Sequence, residues 1–375
     1  MSNHSIKFFI IGLVLIIILI LSANSISGIL FPNKSTIVPR VTPDPLEIQT
    51  PPFIISQTFP FEKTKVSISF PVNVSILEMT RNTRKVTSTY DNSSDSLWTS
   101  DGYRAMVKDP AQDQIFSDLL KELNKVRLLQ GLSDDEYLEL MAVYVQSLRY
   151  ESLEQNPAKF PVETIIDGAG DCDDKSLLLA GLLAREGYSV ALLSFGPEAH
   201  MAIGVGSYDY LYKKTGYAFI ETTNYSFVGV PPDTLGDNLT LYSDPTIFVI
   251  SKGKKLYSSG NDTRYIHDNY LKSDKKVKEL ASQLKDLNDD LMAKRIRISE
   301  LDSQIAQLRN SGNINEYNSR VLAYTTLVSI YNNRLASYNK IYTEYETLAS
   351  IHNYIFEHKY DRKGVYVYIK ENMPF

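Results

Sequence analysis

The last third of the chain contains two runs of apolar residues that are spaced alternately three and four positions apart. The first run extends from Val277 to Leu308 and is broken only by Lys294, and the second, rich in tyrosine, extends from Tyr317 to Tyr345. Heptad spacing of this kind places the apolar side chains on one narrow seam of a helix. With a short turn between the runs, the sequence predicts an antiparallel coiled-coil hairpin over residues 264–358, with arms of roughly 60 Å.

The hairpin has more than one possible role. It can serve as a spacer or an intramolecular brace, or it can mediate self-association or docking onto a large protein partner. After the hairpin, residues 359–375 contain the strand-like run Gly364–Ile369. We expect this run to pair beside Thr246–Ile250 and to pack on the core. The hairpin would then be an insertion that projects from the core.

Cys172 is the only cysteine of the chain. It follows a loop with glycines at positions 168 and 170 and precedes the apolar run Leu177–Leu183, so the sequence places its thiol in the first turn of a helix. Helix N-termini favour anions and lower the pKa of a thiol, which makes this a suitable position for a nucleophile. The alternative is a buried structural cysteine.

A histidine and an acid follow on strand-like segments. His200 lies between the runs Tyr188–Phe195 and 201–206, and Glu221 lies near the end of the run Tyr217–Thr223. The order cysteine, histidine, acid is typical of a nucleophile, its base and the group that orients the base. We therefore predict Cys172, His200 and Glu221 as catalytic residues.

Two motifs in this region carry a resemblance to a known family. Gly-Asp-Cys-x-Asp at 170–174 and His-Met-Ala-x-Gly-Val at 200–205 resemble the prokaryotic members of the transglutaminase-like superfamily, whose folds are papain-like. The resemblance implies a catalytic domain over residues 111–250, with N-terminal helices, an antiparallel sheet and a Cys-His-acid triad. Many members have aspartate at the third position, so Asn224 and Asp233 are alternative orienting residues to Glu221.

The predicted domain begins with two helices. Ile115, Leu119 and Leu123 share one stripe of a helix that starts near Asp113, and Ser133 to Glu136 form a capping-box start for a second helix that contains Gln146. Papain-like enzymes often use a glutamine to stabilise an oxyanion, so Gln146 is a candidate for that role. The backbone N–H of Cys172 is the better candidate, because it is free at the helix start.

The N-terminal part of the chain predicts a membrane anchor. Residues 8–31 form an apolar run long enough to span a bilayer, so we predict an uncleaved transmembrane helix within residues 1–31, with a cleaved signal peptide as the alternative. Lys7 places the N-terminus inside, and the bulk of the chain then faces outward. Residues 32–52 are rich in proline and predict a semi-stiff spacer, and residues 53–110 predict a small β-containing element.

These observations predict an α+β protein with a transglutaminase-like core, a coiled-coil hairpin and a transmembrane helix. The function expected is a membrane-anchored, extracytoplasmic cysteine hydrolase that cleaves a peptide or an isopeptide. A transglutaminase and a catalytically silent peptide-binding scaffold are the alternatives. A formal net charge of -5 gives no footprint for nucleic acid. No cofactor or metal site is predicted, since the acids around Cys172 lack the spacing of a calcium loop.

Overall fold

The computed structural model describes residues 37–42, 52–87, 95–152, 157–235 and 240–373. The predicted transmembrane segment, residues 1–31, lies outside the described residues. Within the part that is described, no helix is both long enough and apolar enough to cross a membrane. The fold is a mixture of helices and mainly antiparallel sheet, which confirms the predicted α+β class.

The chain first forms an antiparallel hairpin. Strand β1 covers Phe53–Phe61 and β2 covers Thr64–Val72. Every second residue of β2 from Val66 to Val72 is buried, so one face of the hairpin packs on the core and the other faces solvent. Helix α1 (Val74–Asn82) follows directly, and helix α2 (Asp95–Lys108) lies further along the chain.

Part of the predicted spacer packs on this core. Val41 is buried, and its backbone N–H donates to Asp109 Oδ2 at 2.7 Å. The prediction of a spacer is therefore wrong for residues 37–42, because an apolar side chain within the proline-rich stretch finds a place in the core. Residues 32–36 and 43–51 of the stretch lie outside the described residues.

The two predicted helices are present as α3 (Asp113–Gln130) and α4 (Asp134–Gln146). Gly131 ends α3 in the left-handed conformation, with φ of 67°. The predicted capping box between Ser133 and Glu136 starts α4. This helix ends at Gln146, and the chain then forms the short strand β3 (Arg149–Tyr150).

Helix α6 (Cys172–Arg185) lies at the centre of the fold. It follows α5 (Pro161–Asp167) and the two-residue strand β4 (Ala169–Gly170), which pairs with β3 in parallel. Nearly all of α6 is buried, because β5 and β6 pack against it on one side and helices α2 to α5 pack against it on the others. The first residue of this helix is therefore held by the core, except where it lines a cleft.

The main sheet has four antiparallel strands in the order β7-β6-β5-β8. The strands are β5 (Ser189–Phe195), β6 (His200–Gly206), β7 (Tyr217–Ile220) and β8 (Thr246–Lys252). Strand β6 is buried along its whole length, since it is central in the sheet and covered by α6. This brings the start of β6 next to the start of α6.

Two long helices follow the sheet. Helix α7 covers Gly260–Leu308 and α8 covers Ile314–Glu357, and they pack against each other across a turn that contains Gly312 at φ 74°. The seam includes the buried side chains of Leu280, Leu284, Leu291 and Leu301.

The predicted C-terminal strand is wrong. Residues Arg362–Asn372 form helix α9, which packs on α7 and α8, and β8 pairs with β5 instead. Asp361 caps the helix by accepting from the N–H of Gly364 at 2.7 Å, and Val365 and Ile369 are buried one turn apart. The alternating sequence also has apolar residues four positions apart, which is the spacing of one face of a helix. Packing on α7 and α8 favours this helical period over the strand period.

Candidate active site

Cys172 is the first residue of α6, as the sequence predicts. Its neighbour Asp171 caps the helix, because its Oδ1 accepts from the N–H groups of Asp173 and Asp174 at 3.0 and 3.1 Å. Asp174 Oδ2 in turn accepts from the N–H of Asp171, which completes a reciprocal capping box. The cap fixes the start of the helix and leaves the N–H of Cys172 out of the capping bonds.

His200 lies at the start of β6, close to Cys172, whose thiol itself lies 3.6 Å from Asp173 Oδ1. The turn before β6 ends at Ala199, which has a strained φ of 48°, and the carbonyl oxygen of Ala199 lies 4.0 Å from Cys172 Sγ. His200 is buried, and both Cys172 and His200 line the same cleft. The structure thus brings together two residues that are 28 positions apart, as predicted.

Glu221 follows the end of β7 and contacts the imidazole. His200 Nε2 lies 3.1 Å from Glu221 Oε2 in a buried pair. The other oxygen, Oε1, accepts from the N–H of Thr222 at 3.0 Å, from the N–H of Thr223 at 2.8 Å and from Thr223 Oγ1 at 2.7 Å. Burial on its own would raise the pKa of Glu221, but the hydrogen bonds from His200 and Thr223 hold that pKa below its ordinary value.

This contact fixes the tautomer of His200. An ionised carboxylate has only acceptors, so Nε2 must carry the proton and donate it to Glu221. The lone pair is then on Nδ1, which is the ring nitrogen that can accept a proton from another group. The alternative orienting residues Asn224 and Asp233 both line the cleft, but the bond from the imidazole goes to Glu221.

The prediction of a lowered pKa for Cys172 is wrong. Burial, and after it the carboxylate of Asp173, raise the pKa of the thiol above its usual value. Asp173 itself has a pKa raised to about 6, chiefly by burial and by the charge of Asp171. Burial, together with the carboxylates in the first turn of α6, thus favours the neutral thiol. The thiol is protonated at neutral pH.

The structure does not bring Gln146, the candidate oxyanion donor, into the cleft. Its Nε2 donates to the carbonyl oxygens of Glu221 at 2.7 Å and Ser226 at 3.1 Å, and the residue is buried and does not line the cleft. Both of its N–H groups therefore hold the segment that carries Glu221.

Lys175 is a residue of the site that sequence reasoning missed. It lies one turn after Cys172, is fully buried, and donates from Nζ to the carbonyl oxygens of Leu148 at 2.8 Å and of Gln146 and Thr223 at 3.3 Å. Burial lowers the pKa of Lys175 to about 8, against the attraction of Glu221. Its ammonium ties α6 to the end of α4 and to the loop after Glu221. The sequence does contain a signal for Lys175, because a lysine is unusual on the apolar face of a helix that is predicted to be buried.

The cleft beside the triad has a volume of about 1020 Å³. Cys172, His200 and Glu221 contribute to its lining, and the loop after Glu221 contributes further lining residues up to Leu235. The opposite side comes from the root of the hairpin and the segment that follows it. The lining residues from there are Ile266, His267, Tyr270, Ile355, Phe356, Glu357 and Lys359.

The described residues contain no group of three or more His, Cys, Asp and Glu side chains placed to hold a metal ion. Of the acids around the thiol, Asp173 contacts Sγ itself, whereas Asp171 and Asp174 cap the helix and Asp174 also accepts from the N–H of Lys159.

Comparison with protein-family models, curated proteins and solved structures finds no match for this chain.

Proposed function

We propose that the protein is a cysteine hydrolase that cleaves a peptide or isopeptide amide through a thioester. The observation that carries the proposal is the buried bond between His200 Nε2 and Glu221 Oε2 in the cleft that contains Cys172. A buried imidazole whose tautomer is fixed by an acid and that lines the same cleft as a thiol has the elements of a general base and its nucleophile.

The reaction follows from the protonation states. Cys172 Sγ attacks the carbonyl carbon of the amide while its proton passes to Nδ1 of His200, so no free thiolate is needed. The N–H of Cys172 is placed at the helix start to donate to the oxyanion. Nδ1 then gives the proton to the departing amine as the C–N bond breaks, and Glu221 stabilises the intervening imidazolium. Water, deprotonated by Nδ1, attacks the thioester and releases the acid and the thiol.

The resemblance to the transglutaminase-like superfamily supports the same proposal. Its motifs fall at the start of α6 and on β6, and the acid follows β7. The cysteine therefore lies on a helix, and the histidine and the acid lie on or directly after the two strands that follow. We further propose that the apolar run within residues 1–31 anchors the protein in a membrane, with the catalytic domain on the outer side.

A second candidate is a peptide-binding scaffold that has lost catalysis. The raised pKa of Cys172 favours it, because carboxylates beside a nucleophilic thiol oppose its ionisation. A transglutaminase differs only in the acceptor, since an amine rather than water would resolve the thioester.

A mass-spectrometric experiment distinguishes these functions. Purified full-length protein is treated with a peptidyl vinyl sulfone, an electrophile that reacts with the thiol of cysteine hydrolases. Because the chain has a single cysteine, one adduct in the intact mass reports on Cys172 alone. We expect labelling of the wild type, a loss of at least about 100-fold in rate in His200→Ala, and hydrolysis of a peptide library that Cys172→Ala abolishes.

Three other outcomes would contradict the hydrolase. A thiol that is labelled no faster in the wild type than in His200→Ala contradicts the hydrolase. Incorporation of fluorescent cadaverine into a glutamine-containing protein, with little hydrolysis, identifies a transglutaminase. Retention of peptides by both wild type and Cys172→Ala, without turnover, identifies the scaffold.

A further inference from the structure

The root of the long helical hairpin forms a wall of the catalytic cleft. Ile266 and Tyr270 come from α7, and Ile355 and Phe356 come from the end of α8. Coiled-coil arms are often remote from a catalytic centre, but here their first and last turns lie against it. The hairpin therefore has a part in what the cleft can bind.

This wall is firmly attached to the catalytic core. Arg362 at the start of α9 is buried and donates to Glu139 Oε1 of α4 at 2.5 Å and to Asp262 Oδ2 of α7 at 2.9 Å. Asp135 of α4 accepts from Ser258 and Ser259, which precede α7. These buried charges join the roots of the hairpin to α4, so the wall has a fixed position relative to the thiol.

Two aromatic side chains in the cleft are exposed. Phe356 is 57% accessible and Tyr150 is 53% accessible, although both line a concave site. Tyr150 lies in β3, whose partner strand β4 immediately precedes Asp171, and Phe356 lies on the hairpin wall. Aromatic surface left accessible within a concave site is typical of ligand-binding pockets.

The charged side chains that line the cleft are mainly acidic, with Glu198, Glu221, Asp233 and Glu357 against one lysine, Lys359. The hairpin side carries Glu357, Lys359 and His267, and the facing loop carries Asp233. Lys359 Nζ lies 4.5 Å from the centre of the Phe356 ring, where it covers part of that ring. Glu198 and Glu221 are held by hydrogen bonds to Ser243 and His200, and the charge of Asp233 acts on Lys359, so contact with apolar surface is the main remaining source of selectivity.

We propose that the cleft binds an extended polypeptide segment and that Phe356 receives a bulky apolar side chain of that segment. The cleft volume of about 1020 Å³ lies at the upper end of the range for small-molecule sites, so it has room for several residues of a chain. An isopeptide branch on a compact protein presents fewer residues and makes less use of this wall. The proposal rests on the hydrolase function proposed above.

A peptide library with one position fixed at a time tests the proposal. We expect the wild type to prefer Phe, Leu or Met over Ser at one position by about tenfold in kcat/KM, which corresponds to about 1.4 kcal/mol. Phe356→Ala should lose this preference through a higher KM, with kcat retained, because Phe356 binds substrate without taking part in the chemistry. Ile296→Ala, at a 61% exposed site further along α7 and outside the cleft, is the matched control and should keep the preference.

Binding of the same peptides to the Cys172→Ala variant, measured by fluorescence anisotropy, separates the two proposals. Cleavage without an apolar preference, or with one that Phe356→Ala retains, overturns the role of Phe356 and leaves the hydrolase intact. Binding with a preference that depends on Phe356, but without cleavage by the wild type, supports the cleft and contradicts the hydrolase. If no library member is bound or cleaved, both proposals are refuted.

Discussion

Replacing Glu221 with glutamine should reverse the tautomer of His200. The oxygen that the new side chain retains must stay at the position of Oε1, where three donors from Thr222 and Thr223 converge. The amide NH₂ must then face Nε2 of His200, where the carboxylate oxygen lies 3.1 Å away in the wild type. Since an NH₂ group only donates, Nε2 must become the acceptor and the proton must move to Nδ1.

The size of the effect follows from the lost base. A proton on Nδ1 prevents the imidazole from accepting the proton of Cys172, and general-base catalysis contributes about 10²- to 10⁴-fold. We expect kcat/KM for peptide hydrolysis to fall by this factor with little change in KM. In protein labelled with ¹⁵N-histidine, NMR should show the protonated nitrogen of His200 switching from Nε2 to Nδ1.

The control is Glu300→Gln, a half-exposed acid on α7 that pairs with Arg297. It should keep both the rate and the tautomer of the wild type. A Glu221→Gln variant that retains the Nε2-protonated form, or that retains the full rate, would refute the assignment of Nδ1 as the base.

Three further predictions concern the charges of the core. Because the carboxylate of Asp173 raises the pKa of Cys172, Asp173→Asn should speed iodoacetamide labelling at a fixed pH of about 8; an unchanged rate contradicts this. Lys175 has a pKa of about 8 in the native state against an ordinary 10.5, so it loses its proton at a lower pH in the native state than in the unfolded state. The free energy of unfolding measured in urea should therefore rise by up to about 3 kcal/mol from pH 8 to 10.5, and Lys175→Met should not show this rise. Arg362→Met leaves Glu139 buried without its cation and should cost about 3–5 kcal/mol of unfolding free energy in urea denaturation, whereas a loss below 1 kcal/mol would show that the pair contributes little.

The placement of the three candidate residues could be predicted because its signals are local. The glycines and acids around Cys172 indicate the start of a helix, and His200 and Glu221 lie next to runs with strand periodicity. Their meeting in space required only that α6 pack on an adjacent sheet. The seam of the hairpin was equally readable, since one spacing is repeated over many residues.

The features that sequence reasoning missed depend on burial and on contacts between distant segments. The pKa of Cys172 depends on how deeply the thiol and Asp173 are buried, which spacing does not reveal. Gln146 has its donors used by carbonyl groups about 75 to 80 positions away in the chain. The run Gly364–Ile369 fits both a strand and a helix, and the surfaces of α7 and α8 decide between them.

The length of the hairpin limits how its far end can influence catalysis. At 1.5 Å per residue, the 42 positions from Ile266 in the cleft wall to Leu308 before the turn span about 60 Å if the helix is straight. A protein held at the turn therefore acts by tethering, which raises the local concentration of attached substrates. In the proposed hydrolase, the distance that the hairpin spans, rather than direct contact with the thiol, would then decide which polypeptides are cleaved.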